Sequence, residues 1–239
     1  MAIAKFPPVE SANEDGLLGL GGDLNVDTLL LAYSKGIFPW PISSFHPIAW
    51  FSPNPRGVLC YSDLHIPKSL EKTFKKNKFN ISFNQSFPEV IMNCALSHNR
   101  KTPQGKKTFE TWITNEIVTS YIDLHYAGNA YSVEVWNKDK LVGGLYGVNI
   151  GYYFSGESMF YLEDDASKVG LITLMEHLYK KDVHWIDTQM VTPTVKSLGG
   201  IDLPRKIFIE WLKESQSRSS GNNSNKNIFN FFKKDNSDN

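Results

Sequence analysis

Apolar and polar residues alternate along Tyr131-Ser132-Val133-Glu134-Val135-Trp136, and Leu141-Val142-Gly143-Gly144-Leu145-Tyr146-Gly147-Val148 answers that run across the polar Asn137-Lys138-Asp139-Lys140. Two β-rich runs around a turn predict a hairpin. Ile150 to Phe154 extends as a third strand into Phe154-Ser155-Gly156-Glu157-Ser158-Met159-Phe160. Beyond it the apolar spacing predicts a helix from Ser167 to Lys180. A strand from Val183 to Gln189, a short helical piece from Pro193 to Leu198 and a helix from Pro204 to about Glu214 follow. Strands, helix, strand and helix in that order describe an α+β or mixed α/β unit with an antiparallel portion.

The first half is more broken. Residues 1 to about 15 read as an irregular lead. The glycines of Gly16-Leu17-Leu18-Gly19-Leu20-Gly21-Gly22-Asp23-Leu24 follow no strong strand and precede no Lys-Ser/Thr pair, so they fit a tight turn better than a phosphate cradle. Asn25 is a candidate cap for a helix over Asp27 to Lys35, stopped by Gly36. Prolines hold Gly36-Ile37-Phe38-Pro39-Trp40-Pro41 and Trp50-Phe51-Ser52-Pro53-Asn54-Pro55-Arg56 in extended or turn form. Their tryptophans can pack a small core or line a pocket. Val58 to Tyr61 reads as a strand, and residues 1–62 as a small N-terminal domain or lid.

Pro67 opens a predicted helix to Lys78. Lys68, Lys72, Lys75 and Lys76 fall four, three and one residues apart and share one face, opposed only by Glu71. Such a stripe is a solvated face or a phosphate contact. Asn80 to Phe83 predicts a strand, Phe87 to Ser97 a helix, His98 to Phe109 a polar, basic, mobile loop, and Asn115 caps a helix to about Ala127. From Ser215 the chain is rich in Ser, Asn and Lys around an isolated Ile228-Phe229-Asn230-Phe231-Phe232, and 215–239 reads as a disordered tail with a possible small docking element.

The Gly156–Met159 stretch is where the pattern suggests chemistry. Gly156 suits a sharp turn beside a ligand. Glu157 then stands among aromatic and thioether groups, where a lone carboxylate is costly unless paired or wet. That combination fits a site for an apolar moiety next to an amine. It also fits a strand end with a solvated Glu. Formal net charge is zero over 239 residues, so a polyanion partner has to be met by a local patch. Cys60 and Cys94 have no metal-ligand spacing and form no disulfide framework, which points to a reducing compartment. No window reaches the length of a membrane span. The expectation is a soluble, cytoplasmic, monomeric protein with no metal or organic cofactor.

In order, Gly19-Leu20-Gly21-Gly22-Asp23-Leu24, Tyr33-Ser34-Lys35-Gly36-Ile37-Phe38-Pro39-Trp40, Trp50 to Arg56, Thr111-Trp112-Ile113 and Ser132 to Trp136 resemble the bacterial leucyl/phenylalanyl-tRNA–protein transferases. So do Leu141 to Gly147, Gly156 to Phe160, Ala166-Ser167-Lys168, Ile186-Asp187-Thr188-Gln189 and Ser197-Leu198-Gly199-Gly200, and the set spans residues 16 to 212. The resemblance implies transfer of leucine, phenylalanine or, less well, methionine from aminoacyl-tRNA to a protein's N-terminal Arg or Lys, which marks that protein for degradation. It implies a small N-terminal domain followed, over 63–214, by a domain similar to the GNAT acyltransferases. By position, Glu157, Asp187 and Gln189 match active-site residues. Trp40, Trp112, Leu145, Phe154, Met159, Leu171, Leu174 and Leu178 match an apolar pocket, and Lys68, Lys72, Lys75 and Lys76 a tRNA-contacting helix.

Thr192 and Thr194 stand where the family usually shows Asn and His, and several pocket positions often filled by Met or Phe are Leu. The reaction implied is ester aminolysis. An α-amine titrates near pH ~8, so positioning matters more than activation. The expectation is that Asp187 orients the Gln189 amide, whose carbonyl accepts a hydrogen bond from the attacking amine, while Glu157 binds cationic amines. Two alternatives are a tRNA-binding module without catalysis and an acyl-CoA-dependent N-acyltransferase. Against the second, Glu163-Asp164-Asp165 would repel a pyrophosphate at the start of the helix that follows.

Overall fold

The computed structural model describes residues 3–41, 47–97 and 111–221. The first half contains β1 (Leu17–Leu20), α1 (Val26–Ser34), β2 (Phe38–Pro39), β3 (Ala49–Phe51), β4 (Arg56–Cys60), α2 (Lys68–Lys75), β5 (Asn80–Phe83) and α3 (Phe87–Ser97). The second contains α4 (Asn115–Tyr126), β6 (Ala130–Asn137), β7 (Lys140–Ile150), β8 (Tyr153–Tyr161), α5 (Ala166–Tyr179), β9 (Trp185–Gln189), α6 (Pro193–Ser197), β10 (Ile201–Leu203) and α7 (Arg205–Gly221).

The alternating runs form the expected hairpin β6–β7, and β8 adds to it antiparallel. Alternation then decides the layers, because successive residues of a strand face opposite sides. In β7, Leu145 joins the apolar cluster under α5, while its neighbour Tyr146 joins the cluster built by α1, α3 and α4. The sheet is covered on both faces. It has seven strands in the order β10-β4-β9-β8-β7-β6-β5 and is mixed, since only β8 and β9 run parallel. Helix α5 makes the crossover that a parallel pair requires. Gly143 lets α5 approach, because a Cβ there would stand 2.6 Å from Ala166. A second sheet, β1-β3-β2, forms the N-terminal part.

Glu134, in the alternating run, is wholly buried. Its carboxylate accepts from Ser132 and Ser82 hydroxyls at 2.5 and 2.6 Å and from the Ser86 and Gln85 amides at 3.2 and 3.3 Å. It thereby satisfies amides at the start of α3, which would otherwise lack partners.

Several expectations shift. Thr114, not Asn115, caps α4, its hydroxyl accepting from the Ile117 amide. Asn25 sits at the α1 cap without a side-chain bond; Asp23 instead accepts from the Asn25 amide and the Thr28 hydroxyl. Pro67 takes the cap position of α2, which ends at Lys75 rather than Lys78. β4 is an interior strand of the seven-stranded sheet, although the sequence grouped it with the N-terminal part. The stretch from Ser215 does not leave the fold at once. α7 continues to Gly221, held where the Gln216 amide donates to Ser34 O and Arg218 pairs with Asp182. The mobile-loop expectation for 98–109 falls outside the described residues, except that α3 ends just before it, and so does the tail beyond 221.

Candidate active site

β8 and β9 share one register pair, Ser155 opposite Asp187. Two residues further along each strand stand Glu157 and Gln189, on the same face as that pair. The Gln189 Nε2 donates to Glu157 Oε1 at 2.8 Å. Opposite β7, the register runs from Gly147–Gly156 to Tyr146–Ser158, so Glu157 is the extra residue of a β-bulge. A bulge re-aims a side chain without ending the strand. Gly156 therefore lies in mid-strand, not at a sharp turn, and its backbone is not left-handed. The corner lies earlier, at Gly151.

Asp187 is fully buried and anchored from several sides. Arg56 binds it in two-pronged fashion, Nε to Oδ1 at 2.8 Å and Nη2 to Oδ2 at 2.6 Å. Tyr153 OH donates to Oδ2 at 2.5 Å. Arg56 is itself fully buried, gives Nη1 to Gly36 O at 3.0 Å and lies between the Phe38 and Phe208 rings. Burial works against its charge, but Asp187 outweighs burial and holds the guanidinium above its ordinary pKa. Gly36 has φ 72°, and a Cβ there would stand 2.7 Å from the Phe208 ring. Glycine is required on both counts.

Asp187 was expected to fix the Gln189 amide side chain. It fixes the backbone instead: Gln189 N donates to Asp187 Oδ1 at 2.8 Å and Gln189 is held at φ 61°. The side-chain amide is fixed by Glu157, with Ser155 Oγ 3.4 Å away. Glu157 Oε1 also accepts from Ser155 at 3.1 Å, and Oε2 from Tyr121 OH at 3.4 Å. Burial pushes the Glu157 carboxyl up to about 7, partly offset by the hydroxyl and amide donors around it. A carboxyl with that value changes charge in the range where an enzyme works.

Glu157 and Gln189 lie on the wall of a cavity of ≈ 430 Å³. Trp40, Trp112, Leu145, Met159 and Leu171 line it. The Trp40 and Trp112 ring centroids are 6.2 Å apart. Phe154, Leu174 and Leu178 do not line it; they are core residues under and along α5. Phe38, Ile186, Met190 and Val195 line it in their place. Asp187 lies behind the wall. Lys68, Lys72, Lys75 and Lys76 lie on α2 and at its end and make no ion pair among the described residues. α2 is tied to the start of α5 by Thr73–Asp165 at 3.1 Å, with Lys78–Glu163 at 2.8 Å just beyond it.

A family profile described as leucyl/phenylalanyl-tRNA protein transferase matches residues 58–213, and that of its N-terminal domain matches 22–54. The chain belongs to this family. Curated members support that placement. The leucyl/phenylalanyl-tRNA–protein transferase of Pseudomonas syringae pv. syringae is 45% identical over 209 residues, 87% of this chain and 88% of that one. That of Thermodesulfovibrio yellowstonii is 43% identical over 229 residues, 96% and 91%. Among solved structures, a GCN5-related N-acetyltransferase from Kribbella flavida aligns with TM-score 0.38 and 9% identity, over 73% of this chain and 60% of that one. That overlap is too slight to bear on fold or function.

Within this transferase family, Thr192 lines the cavity and also caps α6 by accepting from the Val195 amide at 3.3 Å. Thr192 thus does structural work as well as facing the cavity. Sequence reasoning passed over Arg56, Ser155, Tyr33 and Tyr121. Arg56 could have been noticed as a lone charge just before an apolar strand. The tyrosines carry no local signal.

Proposed function

We propose that the cavity holds the aminoacyl end of leucyl-, phenylalanyl- or, less well, methionyl-tRNA, and that the acceptor is a protein with N-terminal Arg or Lys. The observation that carries this is an apolar cavity with one amide and one carboxylate on its wall. Its size is in the range of small-molecule sites. The acceptor amine attacks the ester carbonyl and the C–N bond forms. The C–O bond to the ribose breaks, and the ribose oxygen takes up the proton that the amine gives up. Gln189 is too weak a base to drive this. With Nε2 committed to Glu157, its Oε1 is left to accept from the amine and set the line of attack. Glu157 receives the cationic end of the acceptor. Asp187 holds the strand end. The N-terminal domain, which ends before β4 rather than at residue 62, lends Trp40 and Phe38 to the catalytic domain that follows. The protein works as a cytoplasmic monomer, and no helix among the described residues is long and apolar enough to cross a membrane.

The acyl-CoA alternative finds little support. It is not the activity named for the curated members. The acids at the start of α5 weigh less against a pyrophosphate than their number suggests, because Glu163 pairs with Lys78 and Asn137 and Asp165 with Lys168 and Thr73. The test is a transfer assay read by mass spectrometry, with leucyl-tRNA and two peptides that differ only in an N-terminal Lys or Ala. A leucine-sized gain on the Lys peptide alone is expected. No gain on either, with tRNA still bound, overturns the catalytic reading.

Met159→Ala should lower kcat/KM for leucyl and phenylalanyl donors by roughly 10–200-fold, the range for altered apolar pockets, while leaving tRNA affinity near its starting value. Equal losses in both would remove Met159 from the pocket. Neutralising Lys68, Lys72, Lys75 and Lys76 together should weaken tRNA binding and flatten the plot of log affinity against log salt. The slope should fall by about 0.7–0.9 for each phosphate that a lysine no longer neutralises. An unchanged slope would make the stripe a solvated face.

A further inference from the structure

We propose that Tyr33 and Tyr121 are positioning residues for Glu157: two phenol hydroxyls bonded to each other, one from each family segment, reach its carboxylate through Tyr121 and keep it ionised toward the acceptor. The proposal rests on the acceptor role given to Glu157 above. Tyr33 comes from α1 and Tyr121 from α4, and neither is exposed at all. Their hydroxyls are hydrogen-bonded to one another. Tyr121 OH donates to Glu157 Oε2 at 3.4 Å, and Tyr33 OH reaches that carboxylate through its bond to Tyr121.

The two oxygens of Glu157 are thus served by different groups. Oε1 takes Ser155 and Gln189, the second of which lines the cavity. Oε2 takes the tyrosine pair, which lies in the core between α1 and α4. Two hydroxyls hold two protons. One lies between the oxygens and the other is left for the carboxylate, so the pair acts as one polarised donor. Burial, then the charge of Glu157, pushes both phenols well above their ordinary pKa, so neither loses its proton in the working range. The remaining titratable or charged groups around the carboxylate are Tyr146 from β7, Asp187 from β9 and Arg56 from β4, the last two already bound to each other. The tyrosine pair therefore supplies the donor on the Oε2 side.

Removing a donor to a carboxylate favours its neutral form. In Tyr33→Phe, Tyr121→Phe and the double variant, the acid limb of kcat/KM for a Lys-initiated peptide should move to higher pH, by about 1–2 units in the double variant. The ratio of variant to unaltered protein cancels the titration of the peptide's own amine. For the double variant that ratio should fall about 8- to 80-fold at pH 6.5 and recover toward pH 9, with KM for leucyl-tRNA unchanged. A uniform loss at every pH would mean that the tyrosines only support the fold, and would overturn the proposal. Should Tyr121→Phe fail to fold, Tyr33→Phe leaves Tyr121 in place and gives a smaller shift in the same direction. Carbon-13 NMR of glutamate carboxyls, with Glu157 assigned by its loss in Glu157→Gln, reads the same shift without catalysis. An unmoved Glu157 midpoint overturns the tyrosine pair. Absence of transfer in the unaltered protein counts against the proposed reaction instead.

Discussion

Asp187→Asn should cost about 3–5 kcal/mol of stability, read as a loss of denaturation midpoint at constant slope. The substitution keeps the shape of the side chain, removes its charge and turns one acceptor oxygen into an NH2 donor that must face Arg56. What is left is a guanidinium with no exposed surface and no counter-ion. Bonds to Gly36 O and two aromatic faces remain, but none carries a negative charge. Such a loss is a large fraction of the ~5–15 kcal/mol that holds a domain together. Arg56→Met should fail in the mirror sense, leaving the carboxylate unpaired beside Tyr153 and Ser155. The double variant Arg56→Met/Asp187→Leu should lose less than the sum of Arg56→Met and Asp187→Leu, because the two charges vanish together. Activity separates the roles. The Gln189 amide is held by Asp187 Oδ1 at φ 61°, a conformation that a non-glycine residue keeps only when its surroundings enforce it. Transfer should therefore stay low in the double variant even where stability returns. Full recovery of both would reduce Asp187 to a charge partner.

This pairing shows where the sequence is legible and where it stops being so. Local pattern located β5 and α3 at their observed bounds, Asn80–Phe83 and Phe87–Ser97, and found the β6–β7 hairpin, because each declares itself over a short stretch of chain. Arg56 and Asp187 are 131 positions apart, and nothing near either residue announces the other. The bulge at Glu157 is equally silent, since one extra residue leaves a run of strand-like side chains unchanged. Resemblance alone places the leucines of α5 in the pocket, and the helix's own pattern offers no correction. α5 is apolar nearly all round, with Leu171, Leu174 and Leu178 all buried, so its periodicity does not say which leucine meets the cavity and which meets the core. Of these three, only Leu171 reaches the cavity. The C-terminal helix outran its composition because Gln216 and Arg218 bond to Ser34 and Asp182, distant anchors that low hydrophobicity cannot predict.

Glu157→Gln should move activity and stability in opposite directions. The carboxyl titrates near 4.5 when unfolded and is pushed up to about 7 by burial in the fold. A carboxyl raised in this way leaves the fold unburdened below about pH 4.5. The burden grows as pH rises and is complete once pH passes about 7. The difference amounts to about 3 kcal/mol at pH 8. Gln has no charge to desolvate, so the variant should gain thermal stability relative to the unaltered protein at pH 8 and little or none at pH 5. Comparing the two pH values removes any fixed cost of turning the Gln189 amide against a second amide. For a chain of this length the extra gain at pH 8 should be about 6–12 °C in Tm. Transfer should suffer, because the ionised form is the one that receives a cation. Loss of a hydrogen bond between charged groups is worth roughly 10–150-fold in kcat/KM. The loss should fall on peptides beginning with Lys or Arg, bringing them toward the Ala peptide, and the acid limb near pH 7 should disappear. A variant that is no more stable at pH 8 than at pH 5 would show that Glu157 carries no buried charge. A variant that keeps its preference for a basic first residue would move acceptor recognition away from the bulge.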